Sequence, residues 1–251
     1  MPAPEDRSVL GLPAPGPDRE LRYGDHPDHV VDLYLGAPGA EARPLVVFVH
    51  GGFWRPAYDR IHGRPLTAAL AAAGWTTAAL EYRRVPGRPD DTVDDVAAAI
   101  RFLADVPELG RACDGRFVLV GHSAGGHLVL QAAADPRTPV PAGVVALAPV
   151  ADLGLAEELA LDGDAVRAFL GRPAAERPDL DPVRQPAPDT AVTIVHGATD
   201  AIVPLAVGRS YVAAHPAARL VEVEGGHFVV IDPRSTAWPA LLAALAPRRA
   251  R

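Results

Sequence analysis

The chain has 251 residues, 49% hydrophobic and 22% charged, which suits an α/β domain of ordinary size and excludes a wholly disordered chain. Its formal net charge of −7 offers phosphate no positive field, so no nucleic-acid partner is expected. Every basic residue is Arg, and the absence of Lys excludes Schiff-base and P-loop lysine chemistry.

Residues 1–20 carry five prolines and no periodicity, and they read as a flexible N-terminal arm. The first ten residues contain Glu5 and Asp6 and no apolar run, so a signal peptide is not expected. No stretch is long and apolar enough to span a membrane, and the cytoplasm is the expected location. From residue 21 to 251 the chain reads as one domain. Apolar runs suited to strands lie at 30–35, 45–49, 76–80, 117–120, 144–147, 192–195 and 220–223. Helical stretches fall between them, near 58–73, 92–106, 124–134, 204–214 and 235–246. This alternation predicts an α/β fold: a mostly parallel central sheet with helices on both faces. The run at 30–35 precedes any helix and is expected to start the sheet antiparallel. Residues 151–189 are irregular and rich in Pro, Asp and Leu, and they read as a small lid insertion above the sheet.

Four local patterns carry chemistry. Gly121-His122-Ser123-Ala124-Gly125 follows the strand-like FVLV and precedes the helix-like HLVLQAAA. A G-x-S-x-G there places Ser123 on a sharp strand-to-helix turn, with its hydroxyl at a helix N-terminus that favours negative charge. His50-Gly51-Gly52-Phe53-Trp54 follows PLVVFV. Its glycines let backbone N–H groups turn toward a ligand oxygen, so Gly51, Gly52 and Phe53, with Ala124, are candidate oxyanion donors. Asp200 follows the strand VTIV within HGATDAIVP, and His227 follows LVEV within GGHF. The order Ser123, Asp200, His227, each just past a strand end, matches a Ser-acid-His catalytic arrangement. VTIV should neighbour LVEV, so that the Asp200 carboxylate reaches the imidazole.

Other residues receive plainer readings. Phe53 and Trp54 adjoin the oxyanion loop: one ring packs inward and the other lines an acyl or aryl pocket. His122 and Phe228 complete the candidate substrate contacts. His50, His122 and His196 read as hydrogen-bonded residues at strand ends, and no histidine spacing suggests a metal site. Asp152, beyond VVALAPV, is the rival acid and is placed at the root of the lid. Asp94 and Asp95 suit the first turn of a helix. Arg83 and Arg84 read as solvated or salt-bridged. Cys113 is the one cysteine, which excludes an intrachain disulfide.

HGGFW at 50–54, EYRR at 81–84, GHSAGGHL at 121–128, HGATDAIVP at 196–204 and GGHF at 225–228 carry a resemblance. The chain resembles the α/β-hydrolase-fold serine hydrolases, and among them esterases with an HGG oxyanion motif and the arylformamidase (kynurenine formamidase)-like branch. The resemblance implies a Ser123-His227-Asp200 triad acting through an acyl-enzyme on a small carboxylic ester or N-formyl arylamide, with no cofactor or metal. It implies a small-molecule partner and leaves a homodimer open. A general carboxylesterase and an acyl-cleaving tailoring enzyme are the alternatives within hydrolases. An acyltransferase or perhydrolase would use the same triad. A non-catalytic ligand-binding relative is the alternative of another class, and one that usually loses a triad member.

Overall fold

Strands buried on both faces need partners on both edges and helices above and below. The computed structural model, which describes residues 5–37, 43–107 and 109–246, meets that need with one eight-stranded sheet. In chain order the elements are β1 (Arg19–Arg22), β2 (Val30–Tyr34), β3 (Leu45–Val49), α1 (Arg64–Ala72), β4 (Thr77–Leu80), α2 (Pro89–Ala104) and α3 (Leu109–Ala112). There follow β5 (Phe117–His122), α4 (Ala124–Ala134), β6 (Gly143–Leu147), α5 (Leu153–Glu158), α6 (Ala165–Leu170) and β7 (Val192–Gly197). The chain ends in α7 (Leu205–Ala214), β8 (Arg219–Val223) and α8 (Trp238–Leu245).

The strand order is β1-β2-β4-β3-β5-β6-β7-β8. β1 and β2 pair antiparallel, as do β2 and β4. From β4 across to β8 every pairing is parallel. This is the α/β-hydrolase fold. Alternate side chains along β3 go to opposite faces. Val47 and Val49 join the core under α2, α4 and α7, whereas Val46 and Phe48 join the core under α1 and α8. The chain leaves β3 toward β4 and returns across it to β5. The C-terminal ends of β3 and β5 therefore adjoin with their loops diverging, the crevice where open α/β sheets bind ligands.

The expected strands are present, but three details differ. β1, with sequence RELR, lacks an apolar run because it is a mostly exposed edge strand, paired with β2, that packs the core through Leu21 alone while Glu20 pairs with Arg60. The helix expected from 92 starts at Pro89, so Asp90 and Asp91 occupy its first turn. Asp95 is instead buried against Arg83 and His29, and the exposed Asp94 pairs with Arg137. The third difference is in the N-terminal arm. Residues 1–4 lie outside the described residues, but Ser8–Gly11 form a 3₁₀ turn whose Val9 is buried in the α1/α8 core.

The insertion at 151–189 holds α5, α6 and three short 3₁₀ turns. Buried histidines and a glutamine dock it onto the body. His127 Nε2 donates to the Leu180 carbonyl at 2.8 Å, His215 Nε2 to the Pro182 carbonyl at 2.9 Å, and Gln131 Nε2 to the Asp179 carbonyl at 3.1 Å. Burial pushes the His127 pKa down to about 4, the Leu180 bond opposing it in part. His62, buried beside His50, is pushed down to about 3, first by burial and then by His50.

These shifts set an acid limit on stability. Above the unfolded histidine value of about 6.5, both folded and unfolded chains carry neutral rings and stability is full. As pH falls, the unfolded chain takes up protons that folded His127 and His62 refuse. Stability then drops from about pH 6.5 toward about pH 4 for His127 and about pH 3 for His62, by up to ~1.4 kcal/mol per pH unit for each ring. The urea-unfolding midpoint should therefore be lower at pH 5 than at pH 7, and the gap should narrow in His127→Gln. An equal gap in both proteins would contradict the assignment to His127.

Candidate active site

Ser123 stands between β5 and α4 with φ 56° and ψ −119°. L residues seldom occupy that region, at a cost of about 1–3 kcal/mol. Close backbone approach on every side enforces it. A Cβ on Gly121 would lie 2.1 Å from the Gly125 carbonyl oxygen, and a Cβ on Gly125 would lie 2.1 Å from that of Val49. The Ser123 N–H donates to the Leu147 carbonyl at 2.8 Å, and the Ser123 carbonyl accepts from Val150 N–H at 3.1 Å. The turn is thus bound to the end of β6 as well as to β3. Ala124 opens α4, where an N–H has no intrahelical acceptor.

The HGGFW segment follows β3. Gly52, Phe53 and Trp54 all have positive φ (109°, 49° and 54°). Gly51 is pressed onto the serine turn: a Cβ there would meet Ser123 Cβ at 2.9 Å. A buried polar cluster supports the loop from below. Tyr82 Oη donates to the His50 carbonyl at 2.7 Å, His50 Nδ1 donates to the Gly51 carbonyl at 2.8 Å, and His50 Nε2 faces Glu81 Oε1 at 2.9 Å. Arg84 also pairs with Glu81, so Arg84 is salt-bridged, as is Arg83 with Asp95. Burial pushes the Glu81 carboxyl up, but His50 and Arg84 outweigh it and bring it down to about 2. With the Gly51 carbonyl held toward His50, the planar trans peptide turns the Gly52 N–H the opposite way.

Asp200 and His227 lie beyond β7 and β8, which are neighbours. Ala198 N–H donates to the Val223 carbonyl at 2.8 Å and Thr199 N–H to the Gly225 carbonyl at 3.0 Å, so the two loops leave the sheet joined. His227 Nδ1 donates to Asp200 Oδ2 at 2.7 Å. Asp200 Oδ1 accepts the N–H groups of Ile202 and Val203 at 2.9 and 2.8 Å. His196 Nε2 lies 3.3 Å from Asp200 Oδ2 while donating to the Val203 carbonyl. Burial pushes the Asp200 carboxyl up, yet the bonds from His196 and His227 outweigh it and hold the group well below the usual carboxylate range. Asp152 is elsewhere: it caps α5 by accepting Leu155 N–H at 2.8 Å, at the root of the insertion.

Ser123, His122 and His227 line one cavity of about 360 Å³. Gly52, Phe53 and Phe228 form part of its wall, and Leu159, Ala160 and Leu161 close it from the insertion. An Arg55–Asp162 ion pair at 2.7 Å ties the end of the HGGFW segment to the insertion. The Ser123 hydroxyl and the His227 ring share the cavity wall without a hydrogen bond between them. His122 Nε2 donates to the His227 carbonyl at 3.2 Å, and burial, followed by the His227 charge, pushes its pKa well down. Trp54 belongs to the core and not to the cavity wall. It stacks on Phe169 (centroids 4.5 Å apart) and meets His127 edge-on, so of the two adjoining rings Phe53 is the one that faces the cavity.

The wall residues contributed by the N-terminal segment, Arg7 and Leu10, had no signal in the sequence, because that stretch looks like a proline-rich tail. Leu159–Asp162 were equally hidden within irregular sequence. Among the described residues no cluster of three His, Cys, Asp or Glu side chains is arranged to hold a metal ion, and no helix is long and apolar enough to cross a membrane.

Sheet order, serine turn and acid–histidine pair together define an α/β-hydrolase-fold protein. The BD-FAE family pattern matches residues 31–213, and the chain belongs to that family. Isoprenylcysteine alpha-carbonyl methylesterase ICME of Arabidopsis thaliana is 35% identical over 121 residues, 48% of this chain and 28% of its own length. An acetyl-hydrolase of Streptomyces hygroscopicus is 35% identical over 165 residues, 60% of this chain and 53% of its own. Esterase LipC of Mycobacterium tuberculosis is 29% identical over 220 residues, 77% of this chain and 54% of its own. The chain thus spans only about a quarter to a half of the curated relatives it matches. Among solved structures, a thermophilic esterase of Thermogutta terrifontis aligns with TM-score 0.68 and 25% identity, covering 91% of this chain and 90% of that one. A protein of Silicibacter sp. TM1040, whose thioesterase assignment is provisional, aligns with TM-score 0.72 and 30% identity, covering 91% and 86%.

The close backbone approach at the serine turn has a direct consequence. Gly125→Ala places its methyl against the backbone carbonyls of Val49 and His50, which cannot move without β3. The variant should lose about 3 kcal/mol or more in urea unfolding. A loss under about 1 kcal/mol would mean that β3 and α4 are less tightly apposed than described.

Proposed function

We propose that the chain is a serine hydrolase that cleaves small carboxylic esters. The observation that carries this reading is the meeting in one cavity of Ser123, on its strained turn, with His227, bonded to Asp200 at 2.7 Å. A serine hydroxyl is a weak nucleophile and needs a base. With Nδ1 engaged by Asp200, His227 presents Nε2 to take the Ser123 proton as Oγ attacks the carbonyl carbon. Asp200 fixes that tautomer and stabilises the imidazolium. The oxyanion is received by N–H groups of the Gly51–Phe53 loop and of Ala124, a contribution of ~3 kcal/mol per donor. His227 then protonates the leaving alkoxide, and water, deprotonated by the same ring, releases the acid from Ser123. No cofactor or metal enters this scheme.

Relatives named methylesterase, acetyl-hydrolase and esterase support ester cleavage. The Phe53 and Phe228 rings on the cavity wall favour an aryl group beside the scissile bond, and His122 packs against Phe228 with centroids 5.9 Å apart. An N-formyl arylamide, the substrate type of the arylformamidase-like branch, is the second reading on that ground. The partner is a small molecule. The cytoplasm is the proposed location, and the one cysteine, Cys113, buried and free, is compatible with a reducing compartment.

A fluorophosphonate should label the native chain once and Ser123→Ala not at all, as read by intact-protein mass spectrometry. Labelling that persists in Ser123→Ala sinks the nucleophile assignment. Asp200→Asn should keep the fold and lower kcat by ~10⁴, as tautomer control is lost. Asp152→Asn should cost less than about tenfold, because that carboxylate serves α5. A crippled Asp152→Asn beside a near-normal Asp200→Asn would reverse the assignment. Short p-nitrophenyl esters compared with N-formylkynurenine decide the substrate branch: a hundredfold preference corresponds to about 3 kcal/mol of transition-state discrimination.

A further inference from the structure

Past Gly225 the backbones of the acid and histidine loops no longer pair with each other. Ala198 and Thr199 reach carbonyls of the β8 strand and its turn, but the next inward-facing groups, Ala201 N–H and His227 N–H, are both donors. Two donors cannot bond each other, and a two-oxygen acceptor between them can join both. Glu5 supplies it from the far end of the chain. Its Oε1 accepts Ala201 N–H at 2.7 Å and its Oε2 accepts His227 N–H at 2.8 Å. Ala201 directly follows Asp200, so one carboxylate holds the acid loop and the base residue together. The position is built for it. A Cβ on Gly226 would lie 2.0 Å from Glu5 Oε2, so only glycine lets the carboxylate seat. Val9 anchors the segment in the core, and Arg7 lies over the Phe228 ring, its guanidinium carbon 5.5 Å from the centroid.

We propose that Glu5 is a positioning residue, a carboxylate staple that keeps the Asp200–His227 pair in register for proton transfer. The inference rests on the triad reading given above. Charge-assisted bonds to backbone N–H groups are the strong kind, and a small misplacement of a catalytic ring is costly in rate. Glu5→Gln puts an amide NH₂ against one of the two donors and breaks the staple on one side. Gly226→Ala displaces the Glu5 side chain while leaving Glu5 in the sequence.

Both variants should lower kcat for a p-nitrophenyl ester about tenfold with KM and thermal midpoint little changed. Asp6→Asn, in the same segment but bonded only to Ser8 N–H, should match wild type. A staple acts only through the pair it holds. In an Asp200→Asn background, therefore, Glu5→Gln should change the fluorophosphonate labelling rate less than about twofold. Wild-type hydrolysis that survives in Ser123→Ala would refute the triad reading itself. With that reading intact, an unchanged kcat in Glu5→Gln and Gly226→Ala overturns the staple. So does a tenfold loss that persists undiminished on top of Asp200→Asn, since it would be acting through something other than the acid–base pair.

Discussion

Between β3, β5 and α4 the backbone leaves no room for side chains. Gly121 touches Gly125, Gly125 touches the end of β3, and Gly51 touches the serine turn. These approaches pull the N-terminus of α4 down onto the sheet and force Ser123 into a left-handed conformation at φ 56°. The strain is stored locally and is offset by parallel ladders on both sides of β5, which carries one of the most central positions in the sheet. Because the same contacts set the height of the HGGFW loop, the hydroxyl and the loop N–H groups are positioned by one packing arrangement.

Two histidine–carboxylate pairs flank that serine, and their surroundings separate their uses. His50 with Glu81 lies fully buried, stacked on Tyr82 and spanned by Arg84, with every strong acceptor engaged. That pair stiffens the loop under the proposed oxyanion site. His227 with Asp200 borders the cavity, with one ring nitrogen fixed by the carboxylate. The low carboxyl pKa values of both pairs arise in the same way: burial opposes the charge, and donated hydrogen bonds more than offset it. The neighbouring His122 and His62 are pushed toward neutrality by burial.

Sequence patterns revealed most of this architecture. Strand ends, glycines and punctuation located Ser123, Asp200 and His227, because a parallel sheet collects its loops along one edge and apolar runs mark where each strand stops. The adjacency of β7 and β8 followed from the same logic. Other features left no local trace. β1 is largely polar and exposed and offers the core only Leu21, so no hydrophobic period announces it. Whether Phe53 or Trp54 faced the cavity depended on Phe169 and His127, contacts remote in sequence. The stretch expected to be helical from 58 enters as a 3₁₀ turn at Arg60–Gly63 and becomes α1 only at Arg64, where Pro65 suits a helix start. Glu5 was least visible, since its significance comes from two backbone donors about two hundred residues away.

A covalent intermediate at Ser123 is what this arrangement of serine, histidine and acid requires. The direct measurement is acid quenching of the enzyme in mid-turnover with p-nitrophenyl acetate, followed by peptide mapping of the acetyl group by mass spectrometry. The account predicts acetyl on the peptide containing Ser123, formed in a burst together with p-nitrophenol and lost as turnover ends. Steady release of p-nitrophenol from a chain that never carries acetyl at Ser123 would contradict it.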